Sequence, residues 1–204
     1  MQKGVFIAFE GLDGSGKTTQ MHALSVKLLK RKIRCREERE PSDGILGLIA
    51  RGAIKKKITL SPQAMALLFA ADRYEHVLND IKPLIDKGMH VLSDRFLFSN
   101  FAYQGLTSSF DDLFFYNKPV MDLLMPDITV FIDADPKTSL GRIGTSRIGR
   151  ELFDKEGTAV RENFLNAFNK MKDLSKVLII NGNQPEEVIT DEIWKTVEPL
   201  FIYE

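Results

Sequence analysis

Short apolar runs alternate with longer stretches in which apolar residues recur at helical spacing. Candidate strands lie at 5–9, 33–37, 90–93, 128–133 and 177–181. The first, Val5-Phe6-Ile7-Ala8-Phe9, is apolar at every position, as expected of a strand covered on both faces. Met21, Leu24 and Leu28 follow it at the spacing of one helix face. Ser61-Pro62 combines a capping hydroxyl with proline at the first helical position, which predicts a helix start. Gly88 ends the same helical region, and Pro83 should bend or interrupt it first. Asp135-Pro136 and Gln184-Pro185 predict two further helix starts, the second with the weaker cap. This alternation predicts an α/β fold, a five-stranded parallel sheet with helices on both faces. No repeat, low-complexity tract or linker interrupts the pattern, so residues 1–204 are expected to form one domain.

Charge narrows the partners. Lys plus Arg and Asp plus Glu each number 28 in 204 residues, so no net field draws the chain to nucleic acid or an anionic membrane. A small anionic ligand would have to be captured by arginines placed locally. Cys35 is the single cysteine and has no partner for an intrachain disulfide, which points to a reducing cytoplasm; a small buried side chain is its expected role. The apolar run after Lys3 ends at Glu10, too short for a signal core, and no stretch reaches the roughly 18 residues of a membrane span. A soluble, unprocessed chain is the expectation. Lys55-Lys56-Lys57 fits a solvated loop or helix end, and His22, His76 and His90 are too far from one another and from Cys35 to suggest a metal site.

The chemistry begins at Gly11-Leu12-Asp13-Gly14-Ser15-Gly16-Lys17-Thr18, which fits the phosphate-binding pattern G-x-x-x-x-G-K-[ST] between an apolar strand and an amphipathic helix. Glycines let the backbone curl and turn its N–H groups inward at a helix N-terminus, where a triphosphate can be held. Lys17 would sit beside the β and γ phosphates, and the Thr18 hydroxyl is suited to Mg²⁺. In open α/β sheets ligands bind outside the carboxyl ends of the strands. There the chain carries Glu38-Arg39-Glu40-Pro41 after the second strand, Asp94-Arg95 after the third, and Asp133 and Asp135 after the fourth. Collected at one rim, these charges suggest a site for phosphates and Mg²⁺.

These residues resemble the thymidylate kinase family nearly end to end. The segments that carry the resemblance are the phosphate loop from Phe9 to Gln20, Arg39-Glu40-Pro41, Phe69-Ala70-Ala71-Asp72-Arg73, Asp94-Arg95-Phe96 with Ser99-Asn100-Phe101-Ala102-Tyr103-Gln104-Gly105, Pro126-Asp127, and the arginine-bearing stretch 142–150. The resemblance implies a three-layer P-loop kinase fold with a short lid at about 142–156, and transfer of the γ-phosphoryl group of ATP to dTMP with Mg²⁺. It also implies a homodimer in the cytoplasm. By the same resemblance, ATP is held by Gly11, Leu12, Asp13, Gly14, Ser15, Gly16, Lys17, Thr18 and Thr19 with Arg142 and Arg147, and Mg²⁺ by Thr18 and Asp94. Arg39 and Arg95 take the acceptor phosphate, and Arg95 also touches the group in flight. Phe69 stacks on thymine, Arg73 donates to its O4, and Asn100 or Gln104 reaches its polar edge. Tyr103 crowds the sugar 2′ position, and Asp13 accepts from the 3′-hydroxyl. The loop carries no arginine, so a lid arginine is expected to supply the last cation, with Arg150 keeping the family's spacing.

The chain departs from the family pattern in places. Phe96 stands where tyrosine or histidine is usual, and Ser42-Asp43 replaces the common Gly-Gly. In the lid, Leu152 occupies a position that is usually acidic. Rival readings fit less well. Asn117-Lys118 is followed by Pro119-Val120, so the guanine-reading N-K-x-D of a GTPase is missing. A deoxynucleoside kinase would not need Arg39-Glu40-Pro41, which suits an acceptor already carrying a phosphate, and intact Lys17, Thr18, Asp94 and Arg95 argue against a silent homologue.

Overall fold

The computed structural model describes residues 3–143 and 147–201, with side chains in the second span described from 156 onward. Among the described residues, β1 (Phe6–Glu10), β2 (Cys35–Arg39), β3 (His90–Asp94), β4 (Ile128–Asp133) and β5 (Val177–Asn181) form one parallel sheet in the order β2-β3-β1-β4-β5. The helices, in chain order, are α1 (Lys17–Lys30), α2 (Ile45–Ile54), α3 (Pro62–His76), α4 (Lys82–Asp86), α5 (Leu97–Gln104), α6 (Phe110–Leu123), α7 (Pro136–Ile143), α8 (Arg147–Lys170) and α9 (Glu186–Val197).

Side chains alternate across the central strand, so β1 feeds both cores. Phe6 and Ala8 join Phe131 and the apolar faces of α3, α5, α6 and α8, while Ile7 and Phe9 pack with Val130 and Ile132 against α1 and α9. Met21, Leu24 and Leu28 are the buried stripe of α1, as their spacing predicts. Ser61 caps α3 by accepting from the Ala64 N–H at 3.2 Å. The expected interruption at Pro83 is a π-helical turn, Val77–Ile81, which widens the helix just before a residue with no N–H to donate. Gly88, at φ 81°, then ends the region in a conformation that favours glycine. At the last predicted start, Pro185 is itself the capping residue and α9 begins one position later, at Glu186.

β4 and β5 fall where the sequence places them, but β2 is shifted from 33–37 to Cys35–Arg39. Ile33 is the apolar anchor of that stretch, packed beside the α1 core before the strand begins, whereas the pairing itself involves polar residues on an edge. Cys35 is consequently half-buried on that edge, with its thiol 3.5 Å from the Ser25 hydroxyl, and is not the core side chain that composition suggested. The longer strand end has a consequence. The register Arg39↔Asp94 and Phe9↔Asp94 brings the ends of β2, β3 and β1 level, so that the phosphate loop, Arg39 and Arg95 leave the sheet from one rim.

Candidate active site

The loop between β1 and α1 is held open by glycines where side chains have no room. At Gly14 (φ 78°) a Cβ would lie 2.2 Å from the Ser139 carbonyl oxygen, and at Gly11 (φ 147°) it would lie 2.7 Å from the Ser15 hydroxyl. The loop borders a cavity of about 320 Å³ lined by Asp13, Gly14, Gly16, Lys17, Thr18, Thr19, Asp94, Arg95 and Arg142. Lys17 opens α1, is buried, and donates from Nζ to the Leu12 carbonyl at 2.9 Å. Burial, reinforced by the charge of Arg95, pulls its pKa down to about 8. A polyanion at the helix N-terminus would reverse that penalty by supplying the missing opposite charge. Thr18 donates its hydroxyl to the Asp94 carboxylate, so the pair proposed for Mg²⁺ stands together on the cavity wall. A hydroxyl beside a carboxylate is a hard-oxygen donor set of the kind Mg²⁺ accepts alongside phosphate oxygens and water.

Arg95 joins this cavity to another. Its backbone is left-handed, φ 72°, and its guanidinium donates to the Gly11 carbonyl at 3.3 Å, the Ser99 hydroxyl at 3.0 Å, the Tyr103 hydroxyl at 3.3 Å and the Asp13 carboxylate. The adjoining cavity, about 300 Å³, is mostly apolar and is lined by Asp13, Pro41, Ile54, Met65, Phe69, Arg95, Ser99, Tyr103 and Gln104. Asp13 and Arg95 line both spaces. Phe69, Tyr103 and Gln104, which the resemblance assigns to the acceptor, thus line one space.

Arg73 and Asn100 sit outside that lining, in a buried network alongside it. Arg73 pairs with Glu40 at 2.6 Å and donates to the Asn117 carbonyl oxygen at 2.8 Å and that of Asn100 at 3.3 Å. The Asn100 amide in turn donates to Gln104 at 2.9 Å. The Nε of Arg73 has no hydrogen-bond partner among the described residues. Behind Glu40, His76 lies 3.6 Å from it and 3.4 Å from Glu38. Burial opposes an imidazolium there, but the ion pairs with Glu38 and Glu40 outweigh it and hold the His76 pKa up at about 10. Phe96 fills the space beneath, edge-on to Phe6 at 5.1 Å and 5.5 Å from the Arg73 guanidinium, so in this chain the aromatic ring belongs to the core under the arginine.

Arg39 is exposed and paired with Asp43 at 2.9 Å, and Arg51 shares the same carboxylate at 3.3 Å. Ser42 is fixed by Asp72, which accepts from its N–H at 2.8 Å and its hydroxyl at 2.5 Å. The Ser42-Asp43 departure is therefore built into the loop that follows β2. Arg142, in the last turn of α7, donates to the carbonyls of Ser15 at 3.0 Å and Gly182 at 3.2 Å, bracing the phosphate loop against the turn after β5. Beside it lies a cavity of about 240 Å³ lined by Ser15, Gly16, Thr19, Gln20, Arg142, Gln184, Glu186 and Ile189. Arg147 and Arg150 fall on the first turn of α8, with side chains outside the described residues.

Asp133 and Asp135 do not join the phosphate site. Arg161 neutralises Asp133 through two bonds of 2.6 and 2.7 Å, and both acids line a different cavity on the β4–β5 side. Residues to which the sequence gave no individual role in the site include Glu10, His76 and Asn117 in the interior and Gln184 and Glu186 near the phosphate loop. The last two follow the end of β5, at the same carboxyl rim of the sheet.

A model of the thymidylate kinase family matches residues 9–193 of the chain. The thymidylate kinase of Bacillus cereus (strain Q1) is 31% identical over 206 residues, covering 96% of this chain and 98% of its own length. Thymidylate kinases of Bacillus anthracis (strain A0248) and Bacillus thuringiensis (strain Al Hakam) are each 30% identical with the same coverage.

Proposed function

The chain belongs to the thymidylate kinase family, kinases of nucleotide biosynthesis that phosphorylate dTMP to dTDP with ATP, and we propose how its residues divide that reaction. The observation that carries the division is the junction of the polar phosphate cavity and the apolar cavity at Asp13 and Arg95. Phosphoryl transfer calls for positioning and neutralisation of charge more than covalent help, so cations should converge on the group in flight. Lys17 holds the β and γ phosphates of ATP from the loop side. Arg95 faces both spaces, binds the acceptor phosphate and stabilises the transferring group. The phosphate displaces Asp13 from the guanidinium, which leaves that carboxylate free to accept from the 3′-hydroxyl. Arg150, with Arg147 as the alternative, closes the third side from α8.

On the acceptor side Phe69 stacks on thymine, with Pro41, Ile54 and Met65 providing apolar surface for the ring and its methyl group. Arg73 supplies the donor for O4 through its unpartnered Nε, and Asn100 and Gln104 complete the polar edge. Tyr103, held by Arg95, crowds the sugar 2′ position. Arg39 exchanges Asp43 for the acceptor phosphate. On the donor side the space beside Arg142 and Gln184 suits the adenosine. Thr18 and Asp94 would hold Mg²⁺, which when bound would supply positive charge to neutralise the phosphates.

A homodimer and a cytoplasmic location belong to the same proposal. Exposed Leu67, Tyr74 and Leu78 repeat along one face of α3 and the turn after it, and the two helices packed on α3 expose Ile45 and Leu48 (α2) and Phe115 (α6). An apolar stripe of this kind is suited to a self-complementary two-fold contact. Among the described residues no helix is long and apolar enough to cross a membrane. The direct test of the site is ADP release from ATP and Mg²⁺ with a panel of nucleosides and nucleoside monophosphates. dTMP should be the best acceptor and thymidine nearly inert, because the site is built for an acceptor phosphate; faster turnover of thymidine would overturn the reading.

A further inference from the structure

Glu10 lies at the end of β1, fully buried, and the reaction as divided above gives it no task. Its carboxylate accepts three hydrogen bonds from the β3–α5 turn. One oxygen accepts from the N–H groups of Phe96 at 2.9 Å and Ser99 at 3.0 Å, and the other accepts from the Ser99 hydroxyl at 2.5 Å. That hydroxyl in turn accepts from the Arg95 guanidinium at 3.0 Å. The same carboxylate therefore grips Arg95 twice. The Phe96 N–H follows directly on the left-handed Arg95 backbone, and the Ser99 hydroxyl meets the head of its side chain.

The direction of the hydroxyl matters. A serine hydroxyl has one proton to give and two lone pairs, and the carboxylate of Glu10 takes the proton. The lone pairs are then left facing the guanidinium, which can only donate. Were the proton turned the other way, two donors would confront each other at 3.0 Å and Arg95 would lose this anchor. Burial pushes the Glu10 pKa up to about 7, against the pull of its hydrogen bonds from Ser99 and Phe96 and of the Arg95 charge, so the relay has this polarity in the ionised form of the carboxylate.

We propose that Glu10 and Ser99 are positioning residues that act as one carboxylate–hydroxyl–guanidinium relay, fixing Arg95 in the geometry it needs at the junction of the two cavities. The proposal rests on the assignment of Arg95 to the transferring phosphate. It asks for a particular kind of defect. Glu10→Gln keeps an oxygen for the two N–H groups of the turn but replaces the other with an amide donor. That donor points at the Ser99 oxygen and competes with Arg95 for its lone pairs. Ser99→Ala removes the link and leaves Glu10 and the backbone bonds in place, and Ser99→Thr retains a hydroxyl.

Steady-state kinetics of the three variants and of Glu10→Gln/Ser99→Ala, with Arg95→Ala as reference and Tm measured alongside, test the relay. The expected result is a fall in kcat on the order of 10- to 100-fold for Glu10→Gln and for Ser99→Ala, the range of one hydrogen bond to a charged group. KM for ATP should stay near wild type, Ser99→Thr should recover most of the loss, and the double variant should be no worse than the poorer single one. If Glu10→Gln fails to fold, Ser99→Ala and Ser99→Thr decide. Impaired Arg95→Ala together with wild-type kcat in Ser99→Ala, and in Glu10→Gln where it folds, whatever their Tm, would overturn the relay alone. Wild-type kinetics in Arg95→Ala would overturn the assignment of Arg95 and the relay with it.

Discussion

On the donor side of the cleft, most of the cavity wall comes from one short segment between Asp13 and Thr19, and Asp94, Arg95 and Arg142 supply the rest. On the acceptor side, Pro41, Ile54, Phe69 and Tyr103 come from separate segments that meet only in the folded chain. In the proposed division the donor half relies on main-chain N–H groups, a helix end and one lysine. The acceptor half rests on a buried ion network, Glu38–His76–Glu40–Arg73, whose members are useful only when all are in place. Damage should therefore appear in different currencies: loss of turnover in the first half, loss of stability and of acceptor binding in the second.

The largest effect is expected at the acceptor network. Arg73→Ala leaves Glu40 buried without its closest cation, and removal of one partner from a buried pair costs about 3–5 kcal/mol. Denaturant unfolding should show that loss together with a raised KM for dTMP; an equally stable variant would mean the acceptor half does not depend on its ion pairs. Next comes Lys17→Ala, which should lower kcat by roughly 10²–10³ with the midpoint of unfolding little changed, as for loss of one preorganised charge at a transferring phosphoryl group. A variant that unfolds readily but turns over normally would erase the contrast between the halves.

Sugar selection should be weaker. Removing bulk at Tyr103 is expected to favour the ribo analogue of dTMP relative to dTMP by at most about 10² in kcat/KM, because excluding one added hydroxyl seldom achieves more. An unmoved ratio would make Tyr103 a brace for Arg95 only. The smallest effect is one of slope. His76 has a folded pKa of about 10 against an ordinary 6.5, so the stability it contributes is complete below pH 6.5 and is lost as pH rises towards 10. His76→Gln should flatten the fall of Tm across that window, and an unchanged slope would show that His76 is not the charged member of the network.

The same contrast explains what could be read from the chain beforehand. The phosphate loop is contiguous and its glycines have a local reason to be there, so its place between β1 and α1 was legible, as were β4 and β5 from their apolar runs. β2 was misplaced by two residues because an edge strand of Cys-Arg-Glu-Glu-Arg carries no apolar period, and Ile33, the residue that looked like its centre, packs before it. Phe69, Tyr103 and Gln104 were assigned to the acceptor by resemblance alone, since nothing in their own neighbourhood marks them among other aromatic and amide side chains. Pairings such as Arg73 with Asn117 or Glu10 with Ser99 join positions 44 and 89 apart, and no local pattern encodes them. Asp133 looked like its neighbours at the rim and was claimed instead by Arg161, 28 residues further on.

Arg95 is where the halves meet, and calorimetric titration of Arg95→Ala with dTMP and, separately, with a non-hydrolysable ATP analogue, alongside its kcat, tests that junction most directly. The expected result is weakened dTMP binding and a kcat reduced by a further factor, with the nucleotide analogue bound as in the wild type. Unchanged dTMP affinity with loss of ATP-analogue binding alone would contradict it and make Arg95 a residue of the donor half only.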